Sequence, residues 1–164
     1  MPETYLIDTQ RGVIFSKGTG VFTYADFCEH MARMRADPRF RPDFKQLVDC
    51  RTATAIDLTG EQVSELAGRS ILSVGTRRAF VVSNDLQFGL THMFAAYREN
   101  RGEKDARVFR EMRDALAWLG LPADLDPWAA EKPAGTPGAP VSATGRTANG
   151  DARKARPTEA DHTA

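Results

Sequence analysis

The chain has 164 residues, no formal net charge at pH 7 and a hydrophobic fraction of 41%. This length accommodates one ordinary domain with an appendage. The balanced charge argues against nucleic-acid binding, and because no apolar run approaches the roughly 20 residues that span a bilayer, we expect no stable membrane association.

The N-terminus has no basic stretch followed by an apolar run, as a secretory signal would have, so we expect a cytoplasmic protein. Cys28 and Cys50 are too few for a disulfide framework, and we expect both to be reduced and partly buried.

The first elements in chain order are a hairpin and a helix. Residues 3–8 and 11–18 are rich in apolar side chains, and Gly12 between them suits a tight turn. Thr23 then predicts the start of a helix, because its hydroxyl can accept from a free backbone N–H. The helix is expected to end at Asp37, since the residue before a proline avoids the helical region.

Strands and helices alternate in the rest of the chain. We predict a strand over 45–50, a loop over 51–58 and a second helix from about Thr59 to Ser73. A central strand follows at 78–83 because this run is the most apolar. Later come a third helix capped by Asn84 or Asp85, a short strand at 106–109 and a final helix ending before Gly120. We expect the third helix to bury Leu86, Leu90, Met93, Phe94 and Tyr97.

This order predicts an α/β fold with a five-stranded, mostly parallel sheet in the order 1-2-3-4-5. The first strand would be antiparallel, as half of the N-terminal hairpin, and four helices would lie mainly on one face. The domain is expected to span residues 1–121. Residues 122–164 are rich in Pro, Gly and Ala, which predicts a disordered C-terminal tail, although Leu121, Leu125 and Trp128 are expected to pack on the domain first.

No residue pattern points to catalysis, a cofactor or a metal. A sheet in this order has no reversal of strand order, which is where open α/β sheets usually bind cofactors. Nucleotide-binding glycine motifs and recognisable nucleophile–base pairs are lacking. We place His30 on the outer side of the first helix and His92 beside the apolar stripe of the third helix, as a surface or boundary residue. The protein is therefore expected not to be an enzyme.

The polar residues expected at the carboxyl ends of the strands form a candidate rim. Its members are Asp49, Asp57, Leu58, Thr59, Gly60, Asn84 and Asp85. Each of the polar ones has an ordinary explanation as a helix cap or Asx-turn. Together they are also a candidate docking surface for a partner, with Thr59 as a candidate phosphoacceptor.

Four stretches of this sequence resemble a known family. The strand Leu47-Val48-Asp49 and the turn Asp57-Leu58-Thr59-Gly60 look like those of a STAS domain, the fold of bacterial anti-sigma factor antagonists. The segments 84–94 and 108–119 are similar to the uncharacterised bacterial SpoIIAA-like proteins, which are grouped with STAS and CRAL-TRIO domains.

The resemblance implies a non-enzymatic regulatory module that binds a protein, such as an anti-sigma kinase-like regulator. It also implies that Thr59 is phosphorylated, although Leu58 stands where the antagonists usually have a second hydroxyl. The alternative is a CRAL-TRIO-like domain that binds a lipid or a small apolar ligand. A cavity beneath the third helix would favour this alternative, whereas a close-packed core would reject it. The oligomeric state is not predicted.

Overall fold

The computed structural model describes residues 3–102 and 105–129; of the tail predicted over residues 122–164, residues 130–164 lie outside the described residues. The strands are β1 (Glu3–Asp8), β2 (Val13–Thr23), β3 (Lys45–Asp57), β4 (Arg78–Val81) and β5 (Ala106–Phe109). The helices are α1 (Tyr24–Ala36), α2 (Gly60–Gly68), α3 (Asp85–Glu99) and α4 (Met112–Trp118). None of the helices in the described ranges is both long and apolar enough to cross a bilayer.

The sheet has the predicted topology. Its five strands lie in the order β1-β2-β3-β4-β5, with β1 antiparallel to β2 and the other neighbours parallel. Gly12 in the hairpin turn has φ 60°, a conformation that glycine adopts without a steric penalty. The α/β fold class and the strand order predicted from the sequence are therefore confirmed.

Local sequence signals also place two helix starts correctly. The Thr23 hydroxyl accepts from the backbone N–H of Asp26, and the Asp26 carboxylate accepts from the backbone N–H of Thr23, which completes a capping box. Asn84 caps α3 by accepting from the backbone N–H of Gln87 at 2.9 Å.

β2 was expected to end at residue 18 but continues to Thr23, and β4 ends at Val81, two residues before its predicted end. Two further element boundaries differ from the prediction. Residues 51–58 were expected to be a loop, but β3 continues to Asp57. The reason is that β2 continues to Thr23 and pairs in parallel with the second half of β3, after two register shifts. The second difference is that α2 ends at Gly68, five residues before the predicted end at Ser73.

The helices lie on both faces of the sheet. Leu116 of α4 is fully buried against strand residues that include Phe15, Leu47 and Val81. Leu121 and Trp128 join the same cluster, with Leu125 partly buried beside it, as we expected. Because α4 follows the last strand, it is not part of a crossover, and the handedness of crossovers does not decide which face it covers.

The first three helices cover the opposite face of the sheet. Met34 of α1 packs with Ile7 and Ile14, and the ring of Phe94 in α3 meets Phe80 of β4 edge to face at 5.7 Å. Helices therefore lie mainly on one face, as predicted, with α4 as the exception. The space beneath α1, α2 and α3 is not completely filled, and it contains the cavity described below.

Candidate functional site

Thr59 lies at an exposed helix start, as predicted. Its hydroxyl accepts from the backbone N–H of Gln62 at 3.2 Å, and the Gln62 side-chain oxygen accepts from the backbone N–H of Thr59 at 2.9 Å. Asp57 and Gly60 are exposed and Leu58 is half-buried. We call these four residues, 57–60, the Thr59 tip.

The extension of β3 separates the candidate rim into two parts. Asp49 lies in the middle of β3 with 3% exposure, and its carboxylate contacts the Arg51 guanidinium at 2.8 Å. Seven residues of strand lie between Asp49 and Asp57, which separates the two by about 20 Å or more. Asp49 and the Thr59 tip therefore do not belong to one continuous polar surface.

Asn84 and Asp85 lie at the start of α3, beside the middle of β3. Ser83 donates to the carbonyl of Arg51 at 3.2 Å, and Gln87 donates to the carbonyl of Ala53 at 2.7 Å. Asp85 forms an ion pair with Arg110. These contacts cap α3 and hold it against the sheet. Asn84 and Asp85 therefore have structural roles, in line with the explanation of the rim residues as caps.

A cavity of about 120 Å³ lies between the sheet and helices α1, α2 and α3. Its apolar walls include Phe27, Val48, Leu66, Phe80, Leu90 and Phe94. Exposed Arg69 also lines it, so the cavity reaches the surface beside the end of α2. The cavity lies beneath the helices and not at the strand ends, where no cofactor cleft was expected. A cavity beneath the third helix is the feature that the sequence analysis named as favouring an apolar ligand.

The buried face of α3 differs from the prediction. Leu86, expected to be buried, is 70% exposed. The helix instead buries Gln87, Thr91 and Arg98, and Phe94 lies on the same stripe at the spacing i, i+4, i+7, i+11. A stripe predicted from apolar residues alone misses this face, because three of its four side chains are polar or charged.

His30 is buried, whereas the sequence analysis placed it on the outer side of α1. Its exposure is 5%, its Nε2 lies 3.2 Å from the Ser16 hydroxyl and its Nδ1 lies 3.1 Å from a carboxylate oxygen of Glu3. Burial, followed by the charge of Arg33, lowers the pKa of His30 from 6.5 to about 4. The sequence did contain a signal, because His30 falls on the i, i+3, i+4, i+7 stripe with Phe27, Met31 and Met34.

Glu3 is the second buried ionisable group that sequence reasoning missed. It has 5% exposure, and burial, then the negative charge of Asp26, raises its pKa from 4.5 to about 8, against an opposing effect of Arg33. The two-residue alternation of β1 places Glu3 on the same face as Tyr5 and Ile7, but the ionisable character of a glutamate predicts exposure. Its burial follows from the position of α1 over the edge of the sheet.

The other sequence-predicted features are as follows. Cys28 is half-buried and Cys50 is buried, and both are free thiols. Burial raises the pKa of the Cys50 thiol to about 12, so it is not a reactive thiolate near neutral pH. His92 is exposed and lies against the ring of Phe88. Residues 3–102 and 105–129 contain no cluster of three His, Cys, Asp or Glu side chains that could hold a metal ion.

Comparison with known proteins gave a match among solved structures. No family model and no curated protein matches this chain. Among solved structures, it is similar to an uncharacterised protein of the DUF3478 family from Shewanella loihica PV-4, described as having a SpoIIAA-like fold. The two chains share 18% identity at a TM-score of 0.49, over 71% of this chain and 93% of the other.

Proposed function

We propose that this protein is a binding domain, not an enzyme, and that it holds a small, mainly apolar molecule in the cavity between the sheet and helices α1–α3. The observation that carries the proposal is the cavity itself, with aromatic and aliphatic walls and a few polar groups at one end. Sites of this composition are typical of pockets for small molecules, in which apolar walls provide affinity and a few polar groups fix orientation.

The volume of the cavity supports a ligand about the size of one aromatic ring. An engineered apolar cavity of about 150 Å³ in another protein stays free of water and binds benzene, and the cavity in this chain measures about 120 Å³. The rings of Phe80 and Phe94 already meet edge to face in its wall at 5.7 Å, a geometry that a further ring can join.

Toluene titrated into the full chain by isothermal calorimetry tests this proposal. We expect saturable binding to the wild type. Val48 lies on the cavity floor, so Val48→Phe is expected to fill the space and weaken toluene binding at least tenfold. The matched control is Val74→Phe, because Val74 is 73% exposed and lies outside the lining. Unchanged binding by a folded Val48→Phe variant would place the ligand elsewhere, and no binding to the wild type would reject the proposal.

A second candidate function is regulated docking of a protein partner at the Thr59 tip. The supporting observation is that the Thr59 side chain is exposed at the first turn of α2, where helix N–H groups favour a negative charge. A phosphate there would add about −1.5 to −2 charge beside Asp57. An anti-sigma kinase-like regulator with an acidic docking surface would be repelled by it.

Substitutions at Thr59 separate a switch from a plain cap. Thr59→Asn keeps a capping side chain and removes the phosphoacceptor, whereas Thr59→Glu adds a permanent negative charge. With a regulator isolated by its binding to the wild type, we expect Thr59→Asn to bind equally well and Thr59→Glu to bind at least tenfold more weakly. Equal binding of both variants would rule out a phosphorylation switch at Thr59. Intact-mass analysis of the native protein would show whether Thr59 carries phosphate.

A further inference from the structure

One side chain marks the opening of the cavity. All the residues that line the cavity lie in the described ranges, and among them Arg69 is exposed whereas the others are buried or half-buried. Arg69 follows directly after the last residue of α2. Its side chain is 54% exposed, so part of it faces solvent while another part contacts the cavity. The opening therefore lies beside the end of α2.

On its other side, this opening is bordered by α1. Tyr24, Cys28 and Met31 fall on one stripe of α1 at the spacing i, i+4, i+7, and Met31 lines the cavity. The Arg69 guanidinium donates from Nη1 to the Cys28 sulfur at 3.8 Å, and its Cζ lies 5.9 Å from the centre of the Tyr24 ring. The opening is therefore a seam between α1 and α2, and the Arg69 side chain spans it.

Two polar contacts hold Arg69 in this position. Glu65, one turn earlier in the sequence, forms an ion pair with Arg69. A hydrogen bond to Glu65, followed by burial and a hydrogen bond to Cys28, raises the pKa of Tyr24 to about 12. Near neutral pH the Tyr24 hydroxyl therefore keeps its proton and donates to the Glu65 carboxylate. Glu65 thus connects Arg69 to α1.

The contacts that close the seam are of a kind that breaks easily. The side chains of Glu65 and Arg69 are 45% and 54% exposed. An ion pair this exposed contributes little to stability, because water and salt screen it and two long side chains must be held still. The Arg69 side chain can therefore leave the seam while α1 and α2 stay folded.

We propose that ligands enter and leave the cavity through the seam between α1 and α2, and that Arg69 is the gate that sets their rate of passage. This inference rests on the proposed function, because it assigns the entrance of the same cavity. The gate is closed while Arg69 is paired with Glu65, and it opens when the pair breaks and the guanidinium moves into solvent. Met31 of α1 and Leu66 of α2 then present an apolar lining to the incoming molecule.

Exchange kinetics distinguish a gate from a plain cavity wall. p-Fluorotoluene is added to the full chain; calorimetry gives its Kd, and ¹⁹F NMR relaxation dispersion gives its dissociation rate. We expect Arg69→Ala to raise the dissociation and association rates together by about fivefold, the upper end of what one exposed ion pair contributes. The Kd should stay within about twofold, because a gate lowers or raises the barrier equally in both directions. Arg101→Ala is the matched control, since Arg101 is exposed beside Gly68 at the same end of α2 and lies outside the lining.

A second variant releases Arg69 without removing it. Glu65→Gln deletes the ion pair and is expected to speed exchange in the same direction, so it gives the readout even where Arg69→Ala does not fold. Glu61→Gln is its control, because Glu61 is an exposed glutamate in the first turn of the same helix. Added salt should also speed exchange in the wild type by screening the pair, and this salt dependence should be absent from Arg69→Ala.

The outcomes separate this inference from the function on which it rests. Wild-type exchange rates in both Arg69→Ala and Glu65→Gln would place the entrance elsewhere and overturn the inference, with the ligand site left in place. A change in Kd that comes from the dissociation rate alone would make Arg69 a ligand contact and would also overturn the gate. If p-fluorotoluene does not bind to the wild type, the proposed ligand-binding function is rejected, and the entrance with it.

Discussion

Replacing Glu3 with Gln is expected to remove a loss of stability that the wild type undergoes between about pH 6.5 and 8. In the wild type, burial raises the pKa of Glu3 from 4.5 to about 8, with Asp26 raising and Arg33 lowering it. The folded chain therefore holds a proton that the unfolded chain releases above pH 4.5. Its contribution to stability is fully present below pH 4.5 and is lost as pH rises towards 8.

His30 has the opposite effect at lower pH. Its folded pKa of about 4 lies below the ordinary value of 6.5, so its contribution is present above pH 6.5 and lost as pH falls towards 4. Between pH 4.5 and 6.5 the two slopes oppose each other. Between pH 6.5 and 8 the effect of Glu3 is no longer opposed by His30, and it is no more than about 1.4 kcal/mol per pH unit, or about 2 kcal/mol over the interval. Cys50, with a pKa of about 12, does not titrate there.

Urea denaturation at half-unit pH steps measures this effect. We expect the free energy of unfolding of the wild type to fall from pH 6.5 to 8, and that of Glu3→Gln to stay level across the same interval. Glu29→Gln is the control, because Glu29 is an exposed carboxylate next to His30 in the sequence. Parallel curves for the wild type and Glu3→Gln would mean that Glu3 is ionised and solvated in the folded protein.

Substitution of Leu116 by Ala is expected to cost about 2–5 kcal/mol of unfolding free energy, the usual range for a buried leucine. Leu116 has no exposed surface and packs with Phe15, Leu47 and Val81 on the α4 face of the sheet. The same change at Leu90 should cost at least about 1 kcal/mol less. Leu90 is half-buried and already lines the cavity, so it has less contact to lose.

Chemical denaturation of both variants provides the measurement, and equal m-values would show that the two transitions can be compared directly. Leu90→Ala as costly as Leu116→Ala would indicate that the space beneath α3 is as closely packed as the α4 face. That outcome would count against the cavity as well as against the difference between the two faces.

The sequence predicted those parts of the fold that depend on local chemistry. Gly12, Thr23 and Asn84 each have a short-range role, in a turn or at a cap, and each is found in that role. Strand order followed because alternating strands and helices with right-handed crossovers leave few topologies. The length of β3 could not be predicted in this way, because residues 51–57 form a strand only through their pairing with β2.

The candidate site was harder to predict because several polar side chains are buried around a mainly apolar cavity. His30, Thr91 and Arg98 are buried, although polar side chains are usually exposed. The buried faces of the helices were predicted from apolar side chains, so these three residues were missed. Thr59 was placed correctly as an exposed cap since capping needs only neighbouring residues. A stripe at helical spacing that includes one polar residue, such as His30 among Phe27 and Met34, is the sequence pattern that indicates a buried polar side chain.

The most direct test of the central claim, that the space beneath α1, α2 and α3 holds a small apolar ligand, is a crystal structure determined under xenon pressure. Xenon enters apolar cavities of this size without needing a hydrogen bond. We predict a xenon atom between Val48 and Phe94, in the cavity of about 120 Å³. Side chains that close over this space, with no xenon between the sheet and α3, would contradict the account.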